Sequence, residues 1–288
     1  MKRPAETSNV PSRLADFWRR YRRNRAAVVG LAVLSLLVAL AAVAPLASRH
    51  RPFQIAAAPF QTPRAAHPMG TDDLGRDLFS GVVHGARSSL LVGLLASLAA
   101  TAVGVLVGAA AGYHGGRMDD VLMRVTEFFL VIPAFLLALV LVAVLKPSVW
   151  NLILVIGALG WPSTARLVRA EFLSLREREF VMAARAIGVP AVRLIFRGIL
   201  PNALPPVVVA SSLGVAAAII MESGLSFIGL GDPNLISWGY MLGNARPFLR
   251  TAWWMPTFPG LAIFLAVLSI NLVGDGLNDA LNPRLRSR

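Results

Sequence analysis

Few side chains in this sequence could do chemistry, and their types and spacing decide what kind. An ATP-hydrolysing chain needs a phosphate-cradling loop of the form G-x-x-x-x-G-K-[ST], whose lysine reaches the terminal phosphates. The only lysines are Lys2 and Lys146, and neither sits in such a loop. A serine-centred G-x-S-x-G elbow and an H-E-x-x-H helix are both missing. With no cysteine, thiol nucleophiles, thiolate metal sites and disulfides are excluded as well, and four scattered histidines leave little for a metal cage. No residue is assigned a catalytic or metal-binding role, and if ATP is used another chain must hydrolyse it.

Two groups of residues stand out from the apolar background. Glu222 is the one acid deep in an otherwise apolar run, and a carboxylate inside a membrane is costly enough to be a functional candidate by default. With Ser226 it is a candidate for the pathway or gate of a membrane protein, hydrogen bonding to loop backbone being the rival reading. The second group is the run from Leu175 to Asn202. Its first half is rich in good helix formers, with Glu177 and Glu179 placed early where they complement a helix dipole. Gly188 and Pro190 should end that helix, and a second short one should resume before Pro201. Arg178 and Arg185 fall on one side of the first helix, Arg193 and Arg197 form an i, i+4 pair on the second, and small Ala183, Ala184 and Ala186 lie between. A slim helix bordered by arginines suits a groove in a partner protein; an amphipathic helix resting on lipid headgroups is the alternative.

The elements that must position these residues are membrane spans. Hydrophobic residues make up 56% of the 288 and charged ones only 15%, with a mean hydropathy of +0.64, which no soluble surface shows. Crossing hydrocarbon takes about 20 apolar helical residues. Six charge-free stretches qualify: Ala26 to Ser48, Ser88 to Gly116, Phe128 to Leu145, Pro147 to Ala165, Gly198 to Met221 and Thr251 to Gly274. The third and fourth are separated only by Lys146 and Pro147 and so predict a tight hairpin. Pro52 to Pro63 is short and interrupted by Pro59, which predicts an extended loop. The fold class is all-α and polytopic.

The first span follows 25 mostly polar residues and is too long for a signal-peptide core, so it is expected to be retained. Lysine and arginine number twenty in one set of alternate connections and eight in the other, which places both termini in the cytoplasm. The cluster Arg19, Arg20, Arg22, Arg23 and Arg25 then anchors that topology on anionic lipid, and the net charge of +13 needs no nucleic acid to explain it. Trp150, Trp161, Trp238, Trp253 and Trp254 fall near expected interfaces, as aromatic belts do. Gly93, Ser97, Thr101, Gly104, Gly108 and Gly112 form a stripe of small residues every four or so positions. It suits close helix packing, within the bundle or against a second membrane subunit.

At this point the sequence resembles a known family, the membrane subunits of binding-protein-dependent ABC importers. Their cytoplasmic signature is Glu-Ala-Ala, three residues, Gly, nine residues, an aliphatic residue, one residue, then Leu-Pro. Ala183, Ala184, Gly188, Leu200 and Pro201 match it at the right spacing; Met182 replaces the usual glutamate and Gly198 the usual aliphatic residue. The stretches His67 to Leu78, Gly85 to Arg87, Gly112 to Gly116, Gly224 to Gly231 and Gly274 to Pro283 are similar to the dipeptide and oligopeptide permease group, specifically to its second membrane subunit. The resemblance implies an N-terminal helix over 26–48, an outer segment over 49–87 and a five-helix core over 88–282, flanked by a cytoplasmic segment 1–25 and tail 283–288.

It further implies that the cytoplasmic loop 166–200 holds a coupling helix. Arg178, Glu179, Phe180, Met182, Ala183, Ala184, Arg185 and Gly188 would dock into an ATP-binding subunit. The implied partners are a second, homologous membrane subunit, two ATP-binding subunits carrying ATP and magnesium, an extracytoplasmic binding protein, and the lipid of a bacterial inner membrane. Asp72, Asp73 and Arg76, in the polar turn Thr71 to Asp77, could meet the binding protein. The plainer reading is that both aspartates cap a helix starting near Leu74 while Arg76 and Asp77 form a local ion network. The cargo expected from the resemblance is a small peptide imported by alternating access, with nickel, glutathione or haem as alternatives. A proton-coupled carrier using Glu222 would need an inverted repeat of broken helices, and none is visible.

Overall fold

The computed structural model describes residues 13–48 and 50–281. The expected cytoplasmic tail 283–288 and residues 1–12 of the expected N-terminal segment 1–25 lie outside the described residues. In chain order the helices are α1 (Arg13–Tyr21), α2 (Arg25–Ala42), α3 (Ala44–Ala47), α4 (Leu78–His114), α5 (Gly116–Val131), α6 (Ala134–Leu145), α7 (Val149–Arg176) and α8 (Glu179–Ala186). They continue with α9 (Ala191–Arg193), a π-helical turn over Leu194–Ile199, α10 (Leu200–Phe227), α11 (Trp238–Ala245), a 3-10 turn over Arg246–Phe248, and α12 (Trp254–Leu281). Among the described residues five helical segments are long and apolar enough to cross a membrane, and α5 with α6, bent by 86° between them, passes the same test as a pair.

That bend corrects the third expected span. Phe128 to Leu145 is not one helix, because Pro133 disfavours helical backbone at the residue before it, and Ile132 is extended at φ −79°, ψ 128°. The hairpin expected after it is present. Lys146 turns the chain with φ +72°, and the Asn151 amide donates back to the carbonyls of Leu145 and Lys146 at 2.8 and 3.0 Å. The fourth and fifth spans are longer than expected. α7 runs eleven residues past Ala165 to Arg176, and α9, the π turn and α10 run on as one helical segment over 191–227. Pro201 therefore ends nothing. Leu200 N–H bonds five residues back to the Ile195 carbonyl, and the proline that follows has no N–H to place.

The small-residue stripe packs inside the chain. A Cβ on Gly104 would lie 2.6 Å from Thr164 Cβ, on Gly112 2.6 Å from Phe172 Cβ, and on Gly93 2.5 Å from Ile219 Cγ1. α4 is thus pressed onto α7 along one edge and onto α10 along another. Hydroxyl bonds tie the same contact: Ser97 Oγ donates to the Ser211 carbonyl at 2.9 Å, and Thr101 Oγ1 and Ser211 Oγ are 2.8 Å apart. Val92, Ala138, Val142, Leu152, Val155 and Leu225 form the core between α4, α6, α7 and α10.

α1 folds against the far end of α12. Tyr21 is buried, its hydroxyl donates to the Ala27 carbonyl at 3.1 Å, and burial pushes the phenol above its ordinary range. Asn24 caps α2 by accepting from Ala27 N–H at 3.0 Å and donates to Asp279 at 2.9 Å. Of the five tryptophans expected at interfaces, Trp150 and Trp253 are exposed. Trp161, Trp238 and Trp254 are buried instead, Trp238 completely, with its ring N–H on the Val82 carbonyl at 2.9 Å.

Candidate functional site

Residues 50–77 fold as a loop packed on the N-terminal ends of α4 and α12. Asp77, not Asp72 or Asp73, starts the helix, and it starts at Leu78 rather than near Leu74. One Asp77 oxygen accepts from Ser80 N–H at 2.8 Å while the other meets His67 Nδ1 at 2.9 Å. Asp72 shapes the turn before it, accepting from Leu74 N–H at 2.9 Å, Arg76 N–H at 2.7 Å and Arg76 Nε at 2.7 Å. Burial pulls the Arg76 guanidinium down, but hydrogen bonding to Tyr240 and pairing with Asp72 outweigh it and hold the group above its ordinary value. Gly75, at φ +79°, makes the turn possible, and Thr71 carries the loop by donating to the Ala58 carbonyl at 2.8 Å. Asp72 and Arg76 therefore face inward and leave Leu74 standing out, half exposed.

Glu222 lies on α10 at this same end and is 2% exposed. It accepts from Ser226 Oγ at 2.7 Å and from Ser237 Oγ at 2.8 Å, with Ser223 Oγ at 3.5 Å. Ser237 is the N-cap of α11 and also accepts from Tyr240 N–H. Glu222 and Ser226 thus join α10 to α11, and neither lines the large cavity of the bundle. The partners of Glu222 are side-chain hydroxyls, not the loop backbone.

That cavity, about 550 Å³, opens among α4, α7, α10 and the α5–α6 bend. Its hydroxyl groups come from Ser97, Thr101, Ser163, Thr164 and Ser211, and Phe129, Leu130, Pro133, Leu159 and Met221 supply apolar wall. Among the described residues no ionisable side chain lines it. Several wall residues, among them Leu130, Pro133, Ser163, Leu213 and Ala217, are exposed, so the chamber has an unclosed side. Of these wall residues Ser97 and Thr101 stand out in the sequence, but as part of the small-residue stripe and not as a chamber wall. A signal was there, in the hydroxyl residues spaced along apolar spans, but each could equally have bonded back to its own helix.

At the opposite end α8 projects from the bundle. Val181 is fully buried and packs with Phe172, Leu194 and Ile199, while Phe180, Met182, Ala183, Arg185 and Ile187 are exposed, Ile187 at 82%. The first helix expected from Leu175 to Gly188 is interrupted: α7 stops at Arg176, and Glu177 and Arg178 turn the chain before α8. Gly188 ends α8 as expected, at φ +80°, with Gly188 and Val189 N–H groups bonding back to the Arg185 and Ala184 carbonyls. Ala184 faces the core, and Arg185 sits 5.8 Å over the Tyr113 ring.

Residues 104–287 match the family described as binding-protein-dependent transport system inner membrane component, and residues 12–65 match the N-terminal TM domain of oligopeptide transport permease C. The chain belongs to this permease family. It is 40% identical over 99% of its length, and 94% of the relative's, to the dipeptide transport system permease protein DppC of Alkalihalophilus pseudofirmus. It is 39% identical to the di/tripeptide transport system permease protein DppC of Pseudomonas aeruginosa over 96% of this chain and 94% of that one. A putative peptide permease protein of Brucella suis is 42% identical over 92% of this chain and 89% of its own. Among solved structures, inward-facing MetNI methionine ABC transporter matches with TM-score 0.58 at 19% identity, over 70% of this chain and 96% of that one, which shows a shared fold.

As a permease of this family the chain is a multi-pass inner-membrane transport component. Both departures from the family signature sit where the fold tolerates them. Met182 is 49% exposed on the outer face of α8. Gly198 lies in the π turn, where an added Cβ would meet only Leu194 Cδ1 at 3.2 Å.

Proposed function

We propose that this permease is one of two membrane subunits through which an ATP-driven importer passes small peptides into the cell by alternating access. The chamber carries this reading. Its uncharged, hydroxyl-dotted wall can bond peptide amides while remaining indifferent to side chains, and its unclosed side suits a passage shared with a homologous subunit. The peptide assignment draws on relatives whose names specify dipeptides and di/tripeptides.

In this reading α8 lies in the cytoplasm with both termini. Arg178, Glu179, Phe180, Met182, Ala183, Arg185 and Gly188 form the surface that enters an ATP-binding subunit, which holds ATP and magnesium. Ala184 and Val181 fasten that surface to the bundle. At the other end Asp72 and Arg76 set the shape of a turn offered to a binding protein, with Asp73 and Leu74 at its edge. Glu222 and Ser226 gate the passage indirectly, by holding α11 across the end of α10.

The test is reconstitution of the permease with its partner subunits and binding protein in liposomes. Labelled L-alanyl-L-alanine should enter only with ATP, and replacing 178–188 by a flexible linker should abolish uptake. Uptake that persists without ATPase subunits, yet collapses when a proton gradient is dissipated, would overturn the reading.

A further inference from the structure

Nearer α8, a groove of about 560 Å³ runs between α5 and α7. Glu127 lies three residues before the chamber's Leu130 on α5, and Arg166 three residues after its Ser163 on α7, spacings that put each pair on one face of its helix, so the groove follows the chamber along the same two helices. Asp120, Arg124 and Glu127 follow i, i+4, i+7 along α5 and therefore lie on one face. Arg166 and Arg169 line the groove from α7. Arg169 is committed, since Asp119 accepts from its Nε and Nη2 at 2.5 Å each. Asp120, Arg124, Glu127 and Arg166 have no ion-pair partner among the described residues.

Asp120, Glu127, Arg124 and Arg166, the two acids also lying in the field of Arg169, thus border one groove next to a chamber whose described lining carries no charge. A cargo with an ammonium and a carboxylate finds only hydroxyl dipoles in the chamber, where moving each charge out of water is unfavourable. Fixed charges of both signs at the next step lower that penalty for both ends together. A singly charged cargo would gain from one pair and be opposed by the other, and a neutral one would gain from neither.

We propose that this groove is an exit vestibule for zwitterionic cargo, in which Asp120 and Glu127 receive a free ammonium and Arg124 and Arg166 a free carboxylate. It rests on the peptide-import reading and adds a chemical class to it, chains with both ends free. Vestibule residues act after the binding protein has released its ligand, so they should set the rate and not the half-saturating concentration.

The complete reconstituted transporter is tested with labelled L-alanyl-L-alanine. The paired variants Arg124→Gln with Arg166→Gln, and Asp120→Asn with Glu127→Gln, should each lower maximal uptake at least fivefold, with half-saturation unchanged and the complex still eluting as one species. Arg124→Lys with Arg166→Lys should stay within twofold of wild type. Wild-type rates in both neutralised variants would overturn the vestibule, and so would loss of the assembled complex, which would assign the charges to the partner membrane subunit. A wild-type complex that hydrolyses ATP but moves no free-ended dipeptide overturns the peptide reading and this inference with it.

Discussion

Glu222 shows how one buried acid can be held without a cation. Ser226 and Ser237 both point hydroxyls at it, so Glu222→Ala leaves two buried groups unpaired, each costing about 1–3 kcal/mol. Glu222→Gln keeps an acceptor oxygen for both. Thermal unfolding of the detergent-solubilised permease, followed by tryptophan fluorescence, should show a clear drop for alanine and a much smaller one for glutamine; equal drops would remove the clasp. Gly104 makes the opposite case, a site where nothing more fits. A leucine there would press on Thr164 and the Trp161 carbonyl and should cost about 1–3 kcal/mol in the same measurement. Both residues stand out in the sequence, one as an acid among apolar residues and one as part of a repeat of small ones. Their partners do not, because Ser237 and Thr164 are distant in sequence and ordinary in type.

The elements differ in how far local sequence prepares for them. α2, α4, α7, α10 and α12 follow from apolar length alone. The α5–α6 bend was encoded too, in Pro133, but an apolar run reads as continuous across a proline that merely turns it. The folded loop 50–77 was least visible, since Thr71, His67 and Asp77 act through contacts across the loop and with Trp254. α8 separates attachment from display, and its substitutions should divide accordingly. Val181→Asp places a charge in the fully buried contact with Phe172 and Leu194. It should expose residues 178–188 to limited proteolysis and abolish ATP-driven uptake. Met182→Glu, on the exposed face, should change unfolding by no more than about 0.5 kcal/mol. Proteolytic resistance in the Val181 variant would show that α8 stands without its core contact.

At the scale of the whole molecule, the permease's chamber has one open side, which in the proposed heterodimer a second membrane subunit closes. The sequence has no cysteine, so a single introduced thiol reports its surroundings alone. Ala217→Cys, on the exposed wall, should react readily with a maleimide in the isolated permease and at least tenfold more slowly in the assembled transporter; equal rates would place the partner elsewhere. The continuous helix over 191–227 joins the neighbourhood of α8 to the Glu222 clasp. At 1.5 Å per residue it is about 55 Å long, so a pivot of about 5° at its foot would sweep its tip through about 5 Å. Such a lever arm magnifies a displacement no larger than a side-chain adjustment into one wide enough to part α10 from α11.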